Sequence, residues 1–157
     1  IRTQIAHFSS DMGNFVADAA IRNAVLMDDS ILTDPTGMGK VVETAVYKHI
    51  AAFYYQFATS VGYFRGGKKN KEIDIVVDYP NIKNILIEVK YREHAPINNN
   101  DAICNFADEN SMGIVVTKRQ DDYGVHDAPS GEKLLRIPAY AFLYLVGLAD
   151  KNQSTKI

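Results

Sequence analysis

Apolar and polar positions divide the chain into short elements. Between residues 62 and 92 the runs GYFR, EIDIVVDY and ILIEVKYR are separated by GGKKN and PNIKN. These runs, bounded by turn residues, predict three strands at about 62–66, 72–79 and 84–92, joined as a meander. Upstream, Val42, Ala45, Val46, His49, Ile50, Phe53 and Phe57 recur three and four apart, which predicts a helix over about 40–60. Downstream, 101–110 reads as a helix with Ile103, Cys104, Phe106 and Ala107 toward one side. MGIVVT (112–117) is nearly all apolar, as a buried parallel strand is. A short strand at 134–137 leads to Pro138, a tolerated first helical residue, and a closing apolar helix over 139–148. The turn-rich stretch 28–39 and residues 121–131 read as loops. At the start, 1–13 is read as a linker or entry segment, 15–17 as a short strand and Asp18 as the cap of a helix to Met27. One domain over 14–150 and a tail at 151–157 are expected.

The strands hold charges that such elements rarely carry. Asp74 lies inside IDIVV, and Glu88 and Lys90 lie inside ILIEVKY. A buried charge is costly unless it is paired or binds a metal. Alternate strand residues share a face, so Glu88 and Lys90 point one way and Val89 the other, while Asp74 goes with Val76 and Asp78. If the second and third strands pair as a hairpin, two carboxylates and an ammonium converge. Carboxylates are hard ligands of the kind Mg²⁺ or Mn²⁺ prefers. A lysine beside them can orient a water and stabilise charge on a phosphate. The same three residues read without a metal are a salt-bridge network on one sheet face, which is not favoured for stability alone.

An aspartate, a dozen or so residues and then Glu-x-Lys resembles the PD-(D/E)XK nuclease superfamily, with its restriction-endonuclease-like fold. The ordered set FVADAAIRNAVL (15–26), GKVVETAVYKHI (39–50), GYFRGGKKNKEIDIVVDY (62–79), ILIEVKYRE (85–93) and IPAYAFLYLVG (137–147) is similar to one branch of it. That branch is the domain of unknown function at the C-terminus of many bacterial and archaeal AAA-type ATPases. The resemblance implies an α/β fold with a central mixed sheet of about five strands flanked by helices. It implies that the helix over 101–110 crosses over to a parallel strand. It implies a metal-dependent nuclease site in which Asp74, Glu88, the Val89 carbonyl and Glu43 of the preceding helix serve Mg²⁺ or Mn²⁺, and Lys90 is catalytic. Here Asp74 follows Glu72-Ile73, where the superfamily has a proline. The implied partners are nucleic acid, with DNA expected, and an ATPase domain of the same polypeptide. The alternative it leaves is a non-catalytic module of that ATPase, binding nucleic acid or protein.

Bulk properties narrow these readings. The 157 residues carry a net charge of −2, which gives no general argument for nucleic acid. The local argument is a cluster of Arg65, Lys68, Lys69 and Lys71 before the Asp74 strand, with Arg92 after Lys90, as phosphate contacts. Read plainly, the cluster is a solvated tip that protects a sheet edge. The single cysteine, Cys104, excludes an internal disulfide framework and suits a reducing cytoplasm. No apolar run reaches the roughly 18 residues of a membrane span, so no membrane partner is expected. The chain begins at Ile1, as expected of a fragment or processed product. Gly37-Met38-Gly39-Lys40 is not a phosphate loop: Asp34 stands where that motif needs glycine, and Val41 where it needs Ser or Thr. His7, His49, His94 and His126 lack metal-ligand spacing. His49 is expected at the core edge, and His94 is the histidine closest in sequence to the Glu-x-Lys strand.

Overall fold

The first long helix begins inside the stretch that reads as a loop. In the computed structural model, which describes residues 29–55, 57, 60–65, 71–78 and 83–154, helix α1 spans Pro35–Tyr54. Asp34 is its N-cap and accepts hydrogen bonds from Thr36 N (3.0 Å) and Gly37 N (2.9 Å). Pro35 occupies the first turn, where its missing N–H costs nothing. Asp-Pro is therefore a start signal here rather than a turn. The helix stops at Tyr54, short of the expected residue 60, and closes with bonds three residues apart, Tyr55 N to Ala52 O and Phe57 N to Tyr54 O. Replacing Asp34 with Ala is expected to cost about 1 kcal/mol. Thermal unfolding should show the midpoint lower by roughly 2–4 °C, and an unchanged midpoint would rule out the cap.

Among the described residues a 3-10 turn, Ser30–Leu32, precedes α1, and after it come β1 (Ser60–Arg65), β2 (Glu72–Asp78), β3 (Asn84–Lys90), α2 (Ala102–Phe106), β4 (Ser111–Thr117), β5 (Gly124–Asp127), β6 (Lys133–Pro138) and α3 (Ala139–Ser154). The strands form one open mixed sheet in the order β1-β2-β3-β4-β6-β5. β1, β2 and β3 are the expected antiparallel meander, while β3, β4 and β6 run parallel. α2 is the crossover between β3 and β4, shorter than the sequence suggests.

Helices cover both faces of the sheet. On one face, Val46 and Ile50 of α1 and Phe142 of α3 pack on Ile75, Val77, Ile87, Ile114 and Val116. On the other, Ile103 and Cys104 of α2 and the preceding Ile97 pack on Ile73, Val76, Leu86, Val115 and Leu134. β2 and β4 are apolar on both sides because both sides are buried.

Four expectations change. A sixth strand, β5, lies within 121–131 and pairs antiparallel with β6. Its turn closes through Gly131 N to Ala128 O (2.9 Å), with Gly131 at φ 86°, a conformation that suits glycine. α3 continues through Ser154, so part of the expected tail is helical. Pro138 ends β6 instead of opening α3. His49 is exposed on α1, and its ring nitrogen Nδ1 lies 2.7 Å from Ala45 O. The elements expected over 1–27, and the basic tip with Lys68 and Lys69, lie outside the described residues. No helix among the described residues is long and apolar enough to cross a membrane.

Candidate functional site

β2 and β3 stop pairing where their charges begin. The ladder between them runs from Val77–Ile85 to Ile75–Ile87 and ends there. β2 nevertheless stays with β1 as far as Arg65–Glu72. Between the pairs Gly62–Val76 and Phe64–Ile73, β1 advances two residues and β2 three, so β2 carries a bulge. The bulge shifts the phase of β2: Ile73 and Val76 belong to one core and Ile75 to the other, which strict alternation forbids. Asp74 lies in this segment, so its direction is not set by the simple alternation that pairs it with Val76 and Asp78. Its Oδ2 accepts a hydrogen bond from Val89 N at 2.7 Å, in the place of a ladder carbonyl.

The other charges come from the end of β3. Because β2 runs antiparallel to β3, the start of one and the end of the other meet at one edge. A cavity of about 260 Å³ there is lined by Glu72, Asp74, Glu88, Val89, Lys90, Tyr91 and Arg92. Lys90 is buried, and its ammonium is held by three acceptors: Asp101 Oδ2 at 2.5 Å, Pro96 O at 3.2 Å and Glu88 Oε1 at 3.3 Å. Glu88 Oε2 is buried without a hydrogen-bond partner.

These carboxyls resist ionisation. Burial pushes the Asp74 carboxyl up to about 7, against the hydrogen bond from Val89, and the charges of Glu43, Glu88 and Glu72 add to the rise. Burial also raises Glu88, opposed by Lys90. Glu43 on α1 is raised by burial and then by Glu72, with Lys40 opposing. Asp101 behaves differently: partial burial opposes its ionisation, but hydrogen bonds from Lys90 and Asn98 N hold it below the usual carboxylate range. The site is thus a group of raised carboxyls with one lysine, and that lysine is secured from a fourth side chain.

Asp101 was not visible as a site residue in the sequence. The stretch Asn98-Asn99-Asn100 suggests caps for the next helix, but the N-cap of α2 is Asp101. Its carboxylate turns away from the helix to take Lys90 and Asn98 N (2.8 Å). An aspartate just before an apolar helical turn is a cap signal; nothing in its spacing from Lys90 reports the pairing. Glu72 was missed as well, although it is two residues from Asp74.

Among the described residues, Arg65, Lys71 and Arg92 stand in different surroundings. Arg65 pairs with Glu72 at 2.6 Å. Lys71 is half-buried, and its charge is felt at Cys104, on the α2 side of the sheet. Arg92 is exposed and lines the cavity beside Lys90. His94 is exposed in the loop after β3, and Cys104 is buried on the core side of α2.

A hard divalent cation takes oxygen donors, carboxylates above all. Among the described residues, no three His, Cys, Asp or Glu side chains stand close enough together to hold one metal ion. Asp74 and Glu88 line the same cavity, Val89 follows Glu88 in the chain and lines it too, and Glu88 Oε2 is buried without a hydrogen-bond partner. Mg²⁺ commonly takes one or two carboxylates and keeps several waters. Two carboxylates fit that requirement in number; Glu43 is not among the residues that line the cavity.

An open mixed sheet with helices on both faces, and charged residues gathered where two strands part, defines the class. Residues 38–140 match DUF4143, a domain of unknown function, and the chain belongs to that family. No curated protein matches the chain.

Proposed function

We propose that this domain is a metal-dependent nuclease module of the PD-(D/E)XK kind, hydrolysing phosphodiester bonds of nucleic acid, with DNA as the substrate. The observation that carries the reading is the gap between β2 and β3, where the half-buried Asp74 and Glu88 line one cavity with the buried Lys90. Raised carboxyls beside a specific charge partner in a cleft are a feature of functional sites, shared with structural ion-pair networks. Asp74, Glu88 and the Val89 carbonyl would hold Mg²⁺ or Mn²⁺. When bound, such an ion supplies Lewis-acid polarisation of a phosphoryl oxygen and an acidified water.

The chain's own residues do the rest. Asp74 is fixed by Val89 N, so its carboxylate needs no reorganisation to serve as a ligand. Glu43 would accept a hydrogen bond from a water at the mouth of the site. Arg92 would contact a flanking phosphate. Lys90 has three N–H donors, and each has an acceptor. Its ammonium reaches an attacking water or a phosphate oxygen only by exchanging one of them. The Glu88 contact is the longest of the three. Asp101 keeps the ammonium in place during that exchange.

The sequence resemblance further supports placement at the C-terminus of an AAA-type ATPase in the cytoplasm. A second reading has a specific observation behind it. The saturation of Lys90 by Asp101, Pro96 and Glu88 also describes a structural network. On that reading the domain is a non-catalytic module of the ATPase that binds nucleic acid or protein.

Cleavage of supercoiled plasmid and single-stranded DNA with Mg²⁺ or Mn²⁺ separates the two. Wild-type protein is expected to cut, and Glu43→Gln is expected to cut at least about tenfold more slowly, a typical share for a positioned acid-base group. Equal cutting by both would remove Glu43 from the site. Absence of cutting by a folded wild type, alone and joined to its ATPase portion, favours the binding module.

A further inference from the structure

A second cavity opens beside the first. It measures about 450 Å³ and is walled by residues 93–96, by Arg119, Asp121 and Asp122, and by Arg136 of β6. β3, β4 and β6 are parallel, so these walls stand beyond the carboxyl ends of β3 and β4, where open α/β sheets take their ligands. The cavity is also tied to the candidate site. Pro96, on its wall, gives its carbonyl to Lys90. In register, Glu88 lies opposite Val115, and Val115 lies opposite Arg136.

The charges on the wall are mutually paired. Arg119 binds Asp121 through Nε (3.0 Å) and Nη2 (2.7 Å), Arg136 Nη2 binds Asp122 at 2.6 Å, and Glu93 binds Lys118 at 2.5 Å. Such a wall does not gather anions or cations; it offers donors and acceptors side by side. The Arg136–Asp122 pair is largely buried, with side chains 23% and 19% exposed. Buried pairs are poorly explained by stability, since apolar replacements usually do as well. Arg136 Nε is in addition buried without a partner.

We propose that this cavity receives one unpaired base of the nucleic-acid strand and that Arg136 and Asp122 read its edge. The inference rests on the nucleic-acid reading above. Along a strand the phosphates are charged, and only the bases are neutral groups with donors and acceptors on one edge. Recognition of a splayed-out base through that edge is a common way to read single strands. Guanine matches the pair best: along its Watson–Crick edge O6 accepts from a guanidinium, and the N1 and N2 hydrogens face a carboxylate. A phosphate subsite is the weaker reading, because Asp121 and Asp122 on the same wall would repel it.

The test is fluorescence anisotropy with labelled five-nucleotide strands. The probes are dT-dT-dG-dT-dT, dT₅ and the same length with an abasic centre, in Ca²⁺ to suppress cutting. Wild type is expected to bind the dG strand about tenfold more tightly than the abasic one, the discrimination of one good bidentate contact. Arg136→Met and Asp122→Asn, each shown folded by circular dichroism, are expected to bring the dG, dT₅ and abasic strands within about twofold of one another. Equal wild-type binding of dG and abasic strands overturns the inference, and the nuclease reading then stands or falls on cutting alone. A base preference that survives both substitutions overturns it too. Base-dependent binding lost in both variants, without any cutting, keeps this site and removes the nuclease.

Discussion

Asp74→Asn is expected to make the folded protein more stable at pH 8 and, on the proposed function, to remove its activity. The carboxyl of Asp74 ionises at about 7 in the folded chain, against an ordinary value of 3.8. A carboxyl raised in the folded state holds its proton there more firmly than in the unfolded state. Stability therefore falls as pH rises from about 4 to 7, and the full cost of the charge is present above 7. A shift of that size corresponds to roughly 2–4 kcal/mol once relaxation is allowed for. Asparagine keeps an oxygen for Val89 N and carries no charge. Its advantage over aspartate should be small near pH 4, grow through the interval and level off above 7. Urea unfolding at several pH values checks this, in buffer freed of divalent cations. A less stable Asp74→Asn at pH 8 would mean that the charge of Asp74 is already compensated.

Lys90→Ala carries the largest expected loss of stability. The side chain is buried, and its removal leaves Asp101 and Glu88 without their counter-charge and Pro96 O without a donor. Breaking a buried pair from one side typically costs about 3–5 kcal/mol. For a chain of this length the unfolding midpoint should drop on the order of 10 °C. Adding Asp101→Asn should recover part of the loss, because the uncompensated carboxylate is then gone. Cutting should stay absent in both variants if Lys90 acts on the substrate. Recovery of stability together with full cutting in the double variant would make Lys90 structural only.

The sequence was informative where burial dictates residue type. β2, β3 and β4 are apolar runs because helices cover both faces of the sheet, and their order could be read directly. Asp74, Glu88 and Lys90 stood out because charges are costly in such runs. β5 was not legible: the residues of Gly124–Asp127 are mostly exposed at the sheet edge, so no apolar pattern marks them. Only Pro129-Ser130-Gly131 hinted at its turn. The bulge in β2 and the grip of Asp101 on Lys90 depend on three-dimensional register, which composition and spacing do not encode. Asp34-Pro35 was legible in principle, since capping and turn formation draw on the same residues, and the apolar spacing after it decides between them.

The central claim is that Asp74 and Glu88 form a divalent-cation site, and calorimetric titration with Mn²⁺ tests it most directly. At pH 8 the wild type should bind one ion per chain, Asp74→Asn should bind none, and wild-type affinity should fall below pH 7 as Asp74 takes up its proton. No binding by the wild type at pH 8, or unchanged binding by Asp74→Asn, would contradict the claim.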